Sequence, residues 1–489
     1  MGISLNTINK HNRTKIIATI GPASSSKEVL TKLIENGCSV FRINFSHGSH
    51  ESHAEVIQNI RSVANTLKQS VAILGDLQGP KIRIGSIVGD SFDLEVGQTL
   101  VLDSEIADDA GSTEGVSYRC KTLATSCEPG RVLMLDDGRV QLEVTKIQGN
   151  KITTRVIAGS KLSSRKGLNL KGGGLAEDAL TKKDKEDMAF AAQQEVDYLC
   201  VSFPVCAQDM EDARAMLDYI GSSAKLIAKL ERAEVVADQE IIDSMINSCD
   251  GVMVARGDLA VEIGFESVTS IQKLIVSRAR RLNKPVIVAT QMVESMIDNP
   301  VPTRAEVSDI ANAVFDYADA VMLSGETAMG KYPVEVVKTV YDVIIASERN
   351  IITQVSKHRV EMEFELVDES IAMACMYLSN HFKKIKAIVC LTESGSTALW
   401  MSRIKTHLPL VAMSSKQATL NAVALYKGVI PAMLPHESKR NEQLMEVIQY
   451  LRSEVDVVPG DYVAVTYGDV VGVDGNTNTL KILRVPKQA

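Results

Sequence analysis

Short apolar runs alternate with segments of helical periodicity along most of the chain from residue 15 onward. A strand covered on both faces is apolar along its length, and helices between such strands indicate a parallel α/β fold. The helical segments include Glu51–Leu67 and Thr181–Glu195, and a capping box of Ser25 and Glu28 is predicted to begin the first helix. The apolar runs predict eight strands: Lys15–Gly21, Ser39–Ser46, Val71–Asp76, Asp197–Phe203, Lys225–Glu231, Gly251–Gly257, Pro285–Thr290 and Asp319–Gly325.

Residues 85–175 interrupt this alternation after the third strand. They are rich in glycine, aspartate, threonine and valine, and short runs such as Val132–Leu135 and Lys151–Ile157 are typical of β-strands. Turn signals separate these runs, and three consecutive glycines at 172–174 end the segment. The pattern predicts a small inserted β-barrel domain.

Eight strand–helix units fit a closed (β/α)8 TIM barrel, whose active site lies at the carboxyl ends of its strands. The predicted barrel is formed by residues 1–84 and 176–350. Polar residues such as Asn44, Asp76 and Lys229 lie where its strands end. An open doubly wound sheet is the alternative, but such a sheet would not need polar residues at every strand end.

After residue 350 the α/β pattern starts again. Residues 351–489 therefore predict a separate C-terminal α/β domain with a mainly parallel sheet. Its predicted strands are Ala387–Leu391, Leu410–Met413, Val429–Ala432, Tyr462–Thr466 and Leu480–Val485.

Composition narrows the possible functions. A length of 489 residues suggests about three domains. A net charge of −8 and an aromatic content of 4% argue against nucleic-acid binding, and no apolar run is long enough for a membrane span. Eight cysteines without Cys-x-x-Cys spacing predict buried thiols in a reducing cytoplasm.

The candidate chemistry is concentrated in residues 224–258. Side chains alternate along a strand, so Lys229 and Glu231 project to the same side, and Asp258 ends the next apolar run. Carboxylates at 231 and 258 could hold Mg²⁺ while the Lys229 ammonium faces a phosphoryl group. A structural ion pair inside a barrel is the alternative explanation for the same residues.

Six motifs at the ends of six predicted strands carry a family resemblance. They read Asn-Phe-Ser-His-Gly (44–48), Gly-Asp-Leu-Gln-Gly-Pro-Lys-Ile-Arg (75–83), Ala-Lys-Leu-Glu (228–231), Met-Val-Ala-Arg-Gly-Asp (253–258), Ala-Thr-Gln-Met-Val-Glu-Ser-Met (289–296) and Leu-Ser-Gly-Glu-Thr (323–327). Together they resemble the pyruvate kinase family over essentially the whole chain. The resemblance implies phosphoryl transfer from phosphoenolpyruvate to ADP, giving pyruvate and ATP, in a homotetramer that uses Mg²⁺, with Mn²⁺ as the alternative metal.

The resemblance also implies roles for individual residues. Glu231 and Asp258 match the Mg²⁺ ligands, Lys229 matches the group that stabilises the migrating phosphoryl, and the Gly257 backbone matches the receiver of the substrate carboxylate. Thr290 matches the residue that passes a proton toward C3 of enolpyruvate, with Ser324 and Glu326 near that route or simply structural groups. The nucleotide- and phosphate-side residues are Arg42, Asn44, His47, Arg83 and Lys166, with Lys166 on an inserted domain that acts as a lid.

The chain departs from many family members in two places. At 260 it has alanine where the family usually has glycine. At the monovalent-cation site, whose ligands match Asn44, Ser46, Asp76 and the residue at Leu77, it has leucine instead of threonine and Lys81 instead of glutamate. A tethered ammonium can supply the positive charge that K⁺ brings. We therefore expect an enzyme that does not require K⁺.

Residues 392–397 read Thr-Glu-Ser-Gly-Ser-Thr between a predicted strand and helix. Such a cluster can be an ordinary helix cap or an anion site. In pyruvate kinases this loop binds an allosteric phosphate ester, and a later loop at 474–479 helps to close the site. The resemblance implies activation by AMP or a sugar monophosphate, with Thr392, Ser394, Gly395, Ser396 and Thr397 as effector residues.

Two other functions fit parts of the pattern. Another Mg²⁺-dependent barrel enzyme acting on an enolate, such as an aldolase or a phosphoenolpyruvate mutase, would share the barrel but would need neither additional domain. A catalytically silent metabolite sensor would be expected to lack Lys229, Glu231, Asp258 or Thr290, and all four are present.

Overall fold

A computed structural model describes residues 12–120, 122–175, 178–354, 362–434, 440–470 and 474–487. In chain order its strands are β1 Lys15–Thr19, β2 Cys38–Asn44, β3 Ala72–Asp76, β4 Ser91–Asp93, β5 Thr99–Asp103, β6 Gly115–Val116, β7 Val132–Leu135, β8 Val140–Gln148, β9 Lys151–Ala158, β10 Lys161–Ser163, β11 Leu168–Leu170, β12 Tyr198–Val201, β13 Lys225–Leu230, β14 Gly251–Ala255, β15 Val286–Ala289, β16 Ala320–Leu323, β17 Ile385–Leu391, β18 Leu410–Ser414, β19 Val429–Met433, β20 Tyr462–Gly468 and β21 Thr477–Arg484.

The helices lie mainly between these strands. They are α1 Lys27–Glu35, α2 His50–Leu67, α3 Leu123–Ser126, α4 Lys182–Gln193, α5 Ala207–Tyr219, α6 Gln239–Asn247, α7 Arg256–Ile263, α8 Phe265–Arg281, α9 Arg304–Asp316, α10 Gly325–Ala328, α11 Pro333–Glu348, α12 Val367–His381, α13 Ser396–Ser402, α14 Gln417–Val423 and α15 Arg440–Glu454.

Eight parallel strands close into a barrel in the order β1-β16-β15-β14-β13-β12-β3-β2. This confirms the predicted (β/α)8 barrel. The predicted strands extend past the observed ones where the chain turns at the barrel mouth. Phe203, for example, was predicted to end a strand but has φ +58°, and β12 ends at Val201. Residues in the left-handed region cannot continue a strand.

The first helix begins one residue later than the capping box predicted. The N-cap is Ser26, whose hydroxyl accepts from the Val29 amide at 3.3 Å, so the prediction of Ser25 was wrong. Glu28 then occupies the second helical position, where a capping-box side chain does not belong.

The inserted segment contributes a six-stranded sheet, β11-β7-β8-β9-β5-β6, and a separate two-stranded pair, β10-β4. Hydrogen bonding therefore divides the β structure into two sheets, where the sequence predicted one small barrel. Apolar side chains from both sheets form the core of the inserted segment, among them Leu100, Leu142, Ile152 and Leu162. The segment returns to the barrel through residues 172–174, all glycines with positive φ.

The C-terminal sheet has the order β19-β18-β17-β20-β21, with only β21 antiparallel. This confirms the predicted mainly parallel sheet, although β21 begins at Thr477, before the predicted Leu480. The domain packs against the amino ends of the barrel strands, where Tyr198 donates to the carbonyl of Ala422 at 2.6 Å and Lys15 to that of Val429 at 2.7 Å.

Two further sequence expectations concern burial. Seven of the eight cysteine side chains are buried, with Cys206 the exposed one. Among the described residues, the helices include none with the length and apolar character needed to cross a membrane.

Candidate active site

Lys229 lies at the centre of the barrel mouth, near the end of β13. Leu226, Ala228 and Leu230 of this strand pack into the apolar layer. The alternate side chains face the barrel interior, and at the mouth the Lys229 ammonium donates to the Ser202 hydroxyl at 2.7 Å. It also lies 3.5 Å from a carboxylate oxygen of Asp76 and 3.5 Å from one of Glu231. Burial opposes the charged lysine, but these two carboxylates outweigh it and raise the Lys229 pKa.

Glu231 is fully buried, and its carboxylate is only half satisfied. One oxygen accepts from the Phe203 amide at 2.9 Å, whereas the other, Oε2, accepts no hydrogen bond from any described residue. Burial raises the pKa of Glu231 to about 7, with Lys229 acting against the shift and Asp258 adding to it. A buried oxygen without a donor is costly, so this atom is suited to a ligand.

Asp258 lies in the first turn of α7, and its charge contributes to the raised pKa of Glu231. Its carboxylate pairs with the Lys81 ammonium at 2.7 Å. The described residues contain no group of three acidic, histidine or cysteine side chains arranged for a metal. Two carboxylates, one with a vacant oxygen, fit Mg²⁺, which commonly takes one or two carboxylates and completes its shell with water and substrate phosphates.

Arg42 on β2 and Asp76 on β3 form an ion pair at the mouth, next to Lys229. The guanidinium donates from Nε to Asp76 Oδ2 at 2.7 Å and from Nη1 to the Thr19 hydroxyl at 3.0 Å. Burial raises the pKa of Asp76, but Lys229 and Arg42 together outweigh it and lower that pKa. Asp76 thus stays ionised and already neutralises two cations.

The predicted monovalent-cation residues lie together, because Asn44 and Asp76 are register partners at the ends of β2 and β3. The Asn44 side-chain oxygen accepts from the Ser46 amide at 3.2 Å, and Leu77 is buried. Lys81, the predicted substitute for K⁺, pairs with Asp258 and not with this cluster.

Gly257 and Thr290 are in direct contact. The Gly257 amide donates to the Thr290 hydroxyl at 2.9 Å, and Thr290 has φ +71°. A Cβ on Gly257 would lie 3.7 Å from the Thr290 oxygen, its nearest described atom, so the protein itself leaves room there. Arg256 holds this corner by donating to the Thr290 carbonyl at 2.6 Å and to the Ala289 carbonyl at 3.1 Å.

Glu326 ties two loops together. Its carboxylate accepts from the Ser324 amide at 2.6 Å and from the Val293 amide at 3.3 Å, and the side chain is buried. These contacts brace the segment after Thr290, which is the structural role that the sequence left open for Ser324 and Glu326.

The predicted nucleotide-side residues fall into two groups. Asn44 and His47 follow β2 at the mouth, and the His47 amide bonds the Asn44 carbonyl at 3.4 Å. Lys166 instead pairs with Asp136 of the inserted segment at 2.7 Å, and Arg83 donates to the Arg165 carbonyl at 3.0 Å. The structure therefore places Lys166 and Arg83 against the inserted sheet.

Four of the five predicted effector residues line a cleft in the C-terminal domain, namely Thr392, Ser394, Ser396 and Thr397, whereas Gly395 does not. The Thr392 hydroxyl accepts from the Gly395 amide at 2.9 Å, and the hydroxyls of Ser394 and Ser396 lie 3.0 Å apart. The Thr397 hydroxyl lies 2.8 Å from that of Thr477, which joins this loop to the later one, of which residues 474–479 are described.

Two contributors to the mouth were expected at strand ends but were given no role from the sequence. Ser202 holds the Lys229 ammonium, and Arg256 holds the loop that carries Thr290. Both residues come directly after apolar runs, and this position at a strand end was the sequence signal that they face the mouth.

Comparison with known proteins identifies the family of this chain. Residues 11–337 match the family described as pyruvate kinase, barrel domain, and residues 369–483 match pyruvate kinase, alpha/beta domain. Pyruvate kinase II of Salmonella typhimurium is 49% identical over 473 residues, covering 97% of this chain and 98% of that protein. The pyruvate kinase of Buchnera aphidicola subsp. Schizaphis graminum is 48% identical over 478 residues, covering 98% and 99%. That of Haemophilus influenzae is 48% identical over 456 residues, covering 93% and 95%. The two family matches and the closed barrel agree with the motifs at its strand ends, and the chain belongs to the pyruvate kinase family of phosphotransferases.

Proposed function

We propose that this protein transfers the phosphoryl group of phosphoenolpyruvate to ADP, giving pyruvate and ATP with Mg²⁺. The observation that carries the proposal is the vacant, buried Oε2 of Glu231 beside the Lys229 ammonium. Bound Mg²⁺ would neutralise charge on the phosphoryl oxygens, and Glu231 and Asp258 are the groups that would hold it. This role explains why a buried oxygen is left without a donor.

Lys229 is the group proposed to stabilise the migrating phosphoryl. A loose phosphoryl transition state spreads negative charge over its oxygens, so a fixed cation in a water-poor site lowers its free energy. Ser202 and Asp76 hold the ammonium in place before substrate arrives, so little reorganisation is needed. Arg42, anchored by Asp76, is positioned to add a second cation at the mouth.

Thr290 is proposed to deliver the proton to C3 of the enolate. A hydroxyl is too weak an acid to act alone, so a water chain must resupply it. The Gly257 amide, its neighbour, is proposed to bind the substrate carboxylate. Ser324 and Glu326 support the loop beyond Thr290.

A coupled assay for ATP formed from phosphoenolpyruvate and ADP tests the function directly. We expect Mg²⁺-dependent ATP and pyruvate in equal amounts, with no product when ADP is omitted. An aldolase or phosphoenolpyruvate mutase would consume its substrate without forming ATP. A silent sensor would bind substrate and turn over nothing.

Lys81 supports K⁺ independence as a fixed positive charge at the mouth, although its ammonium pairs with Asp258 and not with the predicted cation cluster. We propose that K⁺ changes the rate little. The test titrates KCl against tetramethylammonium chloride at constant ionic strength, in Mg²⁺ buffer. Lys81→Gln is the matched variant and is expected to become K⁺-dependent. Strong activation of the unsubstituted enzyme by K⁺ would contradict the proposal.

The hydroxyl-lined cleft supports allosteric activation by a phosphate ester such as AMP or a sugar monophosphate. AMP, ribose 5-phosphate and fructose 1,6-bisphosphate should be titrated against phosphoenolpyruvate saturation. Ser394→Asp places a negative charge beside the proposed phosphate position and should abolish activation while leaving the unactivated rate unchanged. Activation that survives this change would place the effector elsewhere.

We also propose the domain roles that the family implies. Residues 85–175 would close as a lid over Mg-ADP, bringing Lys166 and Arg83 to the nucleotide, and residues 351–489 would be regulatory. Sedimentation at micromolar concentration tests the expected homotetramer, and a monomer would overturn it.

A further inference from the structure

The inserted domain returns to the barrel through a segment that is held by barrel side chains. Gly172, Gly173 and Gly174 have φ +82°, +75° and +100°, so the backbone here needs a conformation that other residues adopt at a cost. The Gly172 amide donates to the Glu262 carbonyl of α7 at 2.9 Å, and the Gly174 amide donates to the Glu234 carboxylate. The three glycines permit this backbone conformation, and hydrogen bonds from the barrel residues fix it at both ends of the turn.

Arg232 is the centre of this attachment. Its guanidinium is buried and donates from Nη2 to the Leu175 carbonyl at 2.9 Å and to Glu234 at 3.0 Å. Its Nε lies 3.2 Å from Glu262 Oε1. One side chain therefore contacts the returning backbone and both acidic residues that grip it.

Glu262 extends the attachment into the inserted sheet. One carboxylate oxygen accepts from the Asn169 side chain at 3.3 Å, and the other accepts from the Ala233 amide at 2.8 Å. Asn169 belongs to β11, and Ala233 follows Arg232 in the chain. The carboxylate thus connects the last strand of the insertion to the loop after β13.

We propose that Arg232 is a positioning residue that sets the angle at which the inserted domain stands over the barrel mouth. This inference rests on the proposed function, because the group being positioned is the nucleotide-side surface that carries Lys166. Arg232 directly follows Glu231, so the loop that anchors the lid continues the strand that carries the metal ligand. A rigid anchor limits where the glycine turn can place Lys166 relative to Glu231 and Asp258.

The first test is Arg232→Gln, which keeps a polar side chain but cannot bridge two carboxylates and a carbonyl. We expect the KM for ADP to rise about tenfold, because misplacing a binding group by around an ångström weakens productive alignment. The KM for phosphoenolpyruvate, and the Mn²⁺ affinity of the nucleotide-free enzyme measured by electron paramagnetic resonance, should stay within about twofold. Hydrogen exchange in residues 165–175 should accelerate. Arg232→Lys, which keeps one ion pair, should fall between.

Two adjacent glycines provide a matched pair that leaves Arg232 intact. A Cβ on Gly173 would lie 2.7 Å from the Glu234 carboxylate, whereas a Cβ on Gly172 meets no described atom within 4 Å. Both have similar positive φ, so Gly172→Ala carries the backbone cost alone. We expect Gly173→Ala to raise the KM for ADP and Gly172→Ala to leave it unchanged.

The outcomes separate this inference from the function on which it rests. Absence of ATP formation by the unsubstituted chain would refute the proposed function, and hydrogen exchange would still report on the attachment. An unchanged KM for ADP in Arg232→Gln would overturn the inference. A parallel loss of Mn²⁺ affinity and phosphoenolpyruvate binding would also overturn it, since that would show damage to the mouth itself. If Arg232→Gln does not fold, Arg232→Lys and the glycine pair decide.

Discussion

The barrel buries carboxylates at both of its ends, and their surroundings differ. At the base, Asp319 precedes β16 and is fully buried beside an equally buried Arg403. Its oxygens accept from two guanidinium nitrogens, from the Val286 amide at 3.0 Å and from the Lys427 amide at 2.9 Å. At the mouth, Glu231 accepts one backbone hydrogen bond, and its other oxygen has no donor among the described residues.

This difference separates a carboxylate that stabilises the fold, Asp319, from one that is suited to a ligand, Glu231. Burying a charge costs free energy unless donors replace water. Asp319 has four donors and joins the barrel to the C-terminal domain through Arg403. Glu231 keeps one oxygen without a donor among the described residues, 3.5 Å from the Lys229 ammonium. The contrast agrees with the general division of these barrels, in which the amino end stabilises and the carboxyl end reacts.

The largest effect is expected from removing the cation that pairs with Asp319 at the base of the barrel. Arg403→Met leaves Asp319 buried without its cation, and such a loss costs about 3–5 kcal/mol. Urea unfolding at fixed protein concentration should show an earlier midpoint. The control is Arg155→Met, which removes an exposed pair with Glu143 and should cost below about 1 kcal/mol. Equal midpoints for the two variants would remove the contrast between buried and exposed pairs.

Lys229→Met tests the mouth of the barrel, where Glu231 has an oxygen without a donor among the described residues. Removing one preorganised charge-stabilising group lowers turnover by about 10²–10³-fold. The coupled ATP assay at saturating substrates measures this loss. Lys225→Met lies on the same strand toward the base and should retain normal turnover. Near-normal turnover of the Lys229 variant would show that the mouth works without that ammonium.

Glu231→Gln asks whether the vacant oxygen serves a metal. Removing a group that only hydrogen-bonds a metal ligand already weakens metal affinity by about 10–100-fold, so loss of a ligand itself should raise the Mn²⁺ dissociation constant at least tenfold. Free Mn²⁺ is counted by electron paramagnetic resonance. Glu234→Gln changes a carboxylate three residues away and should bind Mn²⁺ normally. Unchanged affinity in the Glu231 variant would assign that oxygen a structural role.

The smallest effect is expected at Lys427, at the base of the barrel, where the free energy of unfolding should depend on pH. Burial lowers its pKa from 10.5 to about 7, with Glu348 acting against the shift. Between those values the unfolded chain binds more protons than the folded protein, so the free energy of unfolding rises with pH. One such group contributes at most about 1.4 kcal/mol per pH unit.

Lys427→Met should remove this contribution. The stability difference between the unsubstituted protein and the variant should grow by about 1 kcal/mol per unit between pH 7.5 and 9. Urea unfolding at several pH values measures it. A constant difference would mean that Lys427 titrates normally in the folded protein.

Sequence periodicity was sufficient for the barrel because apolar layers cover both faces of its strands. It was less reliable at strand ends, where local hydrogen bonds decide, as the shift of the first N-cap to Ser26 illustrates. The sequence indicated which mouth residues carry charge but not which charges meet. The tilt and stagger of neighbouring strands determine that Asp76 pairs with Arg42 and that Lys81 reaches Asp258. Such pairings join residues far apart in the chain, and no local pattern encodes them.

The hydrogen bond from the Gly257 amide to the Thr290 hydroxyl joins the group proposed to bind the substrate carboxylate to the group proposed to deliver the proton. An incoming carboxylate that takes the amide must evict the threonine oxygen. Both lone pairs of the displaced hydroxyl oxygen would then be open to the water chain that resupplies its hydrogen. In the proposed reaction, binding of the substrate carboxylate would therefore also change the hydrogen bonding of the proton donor.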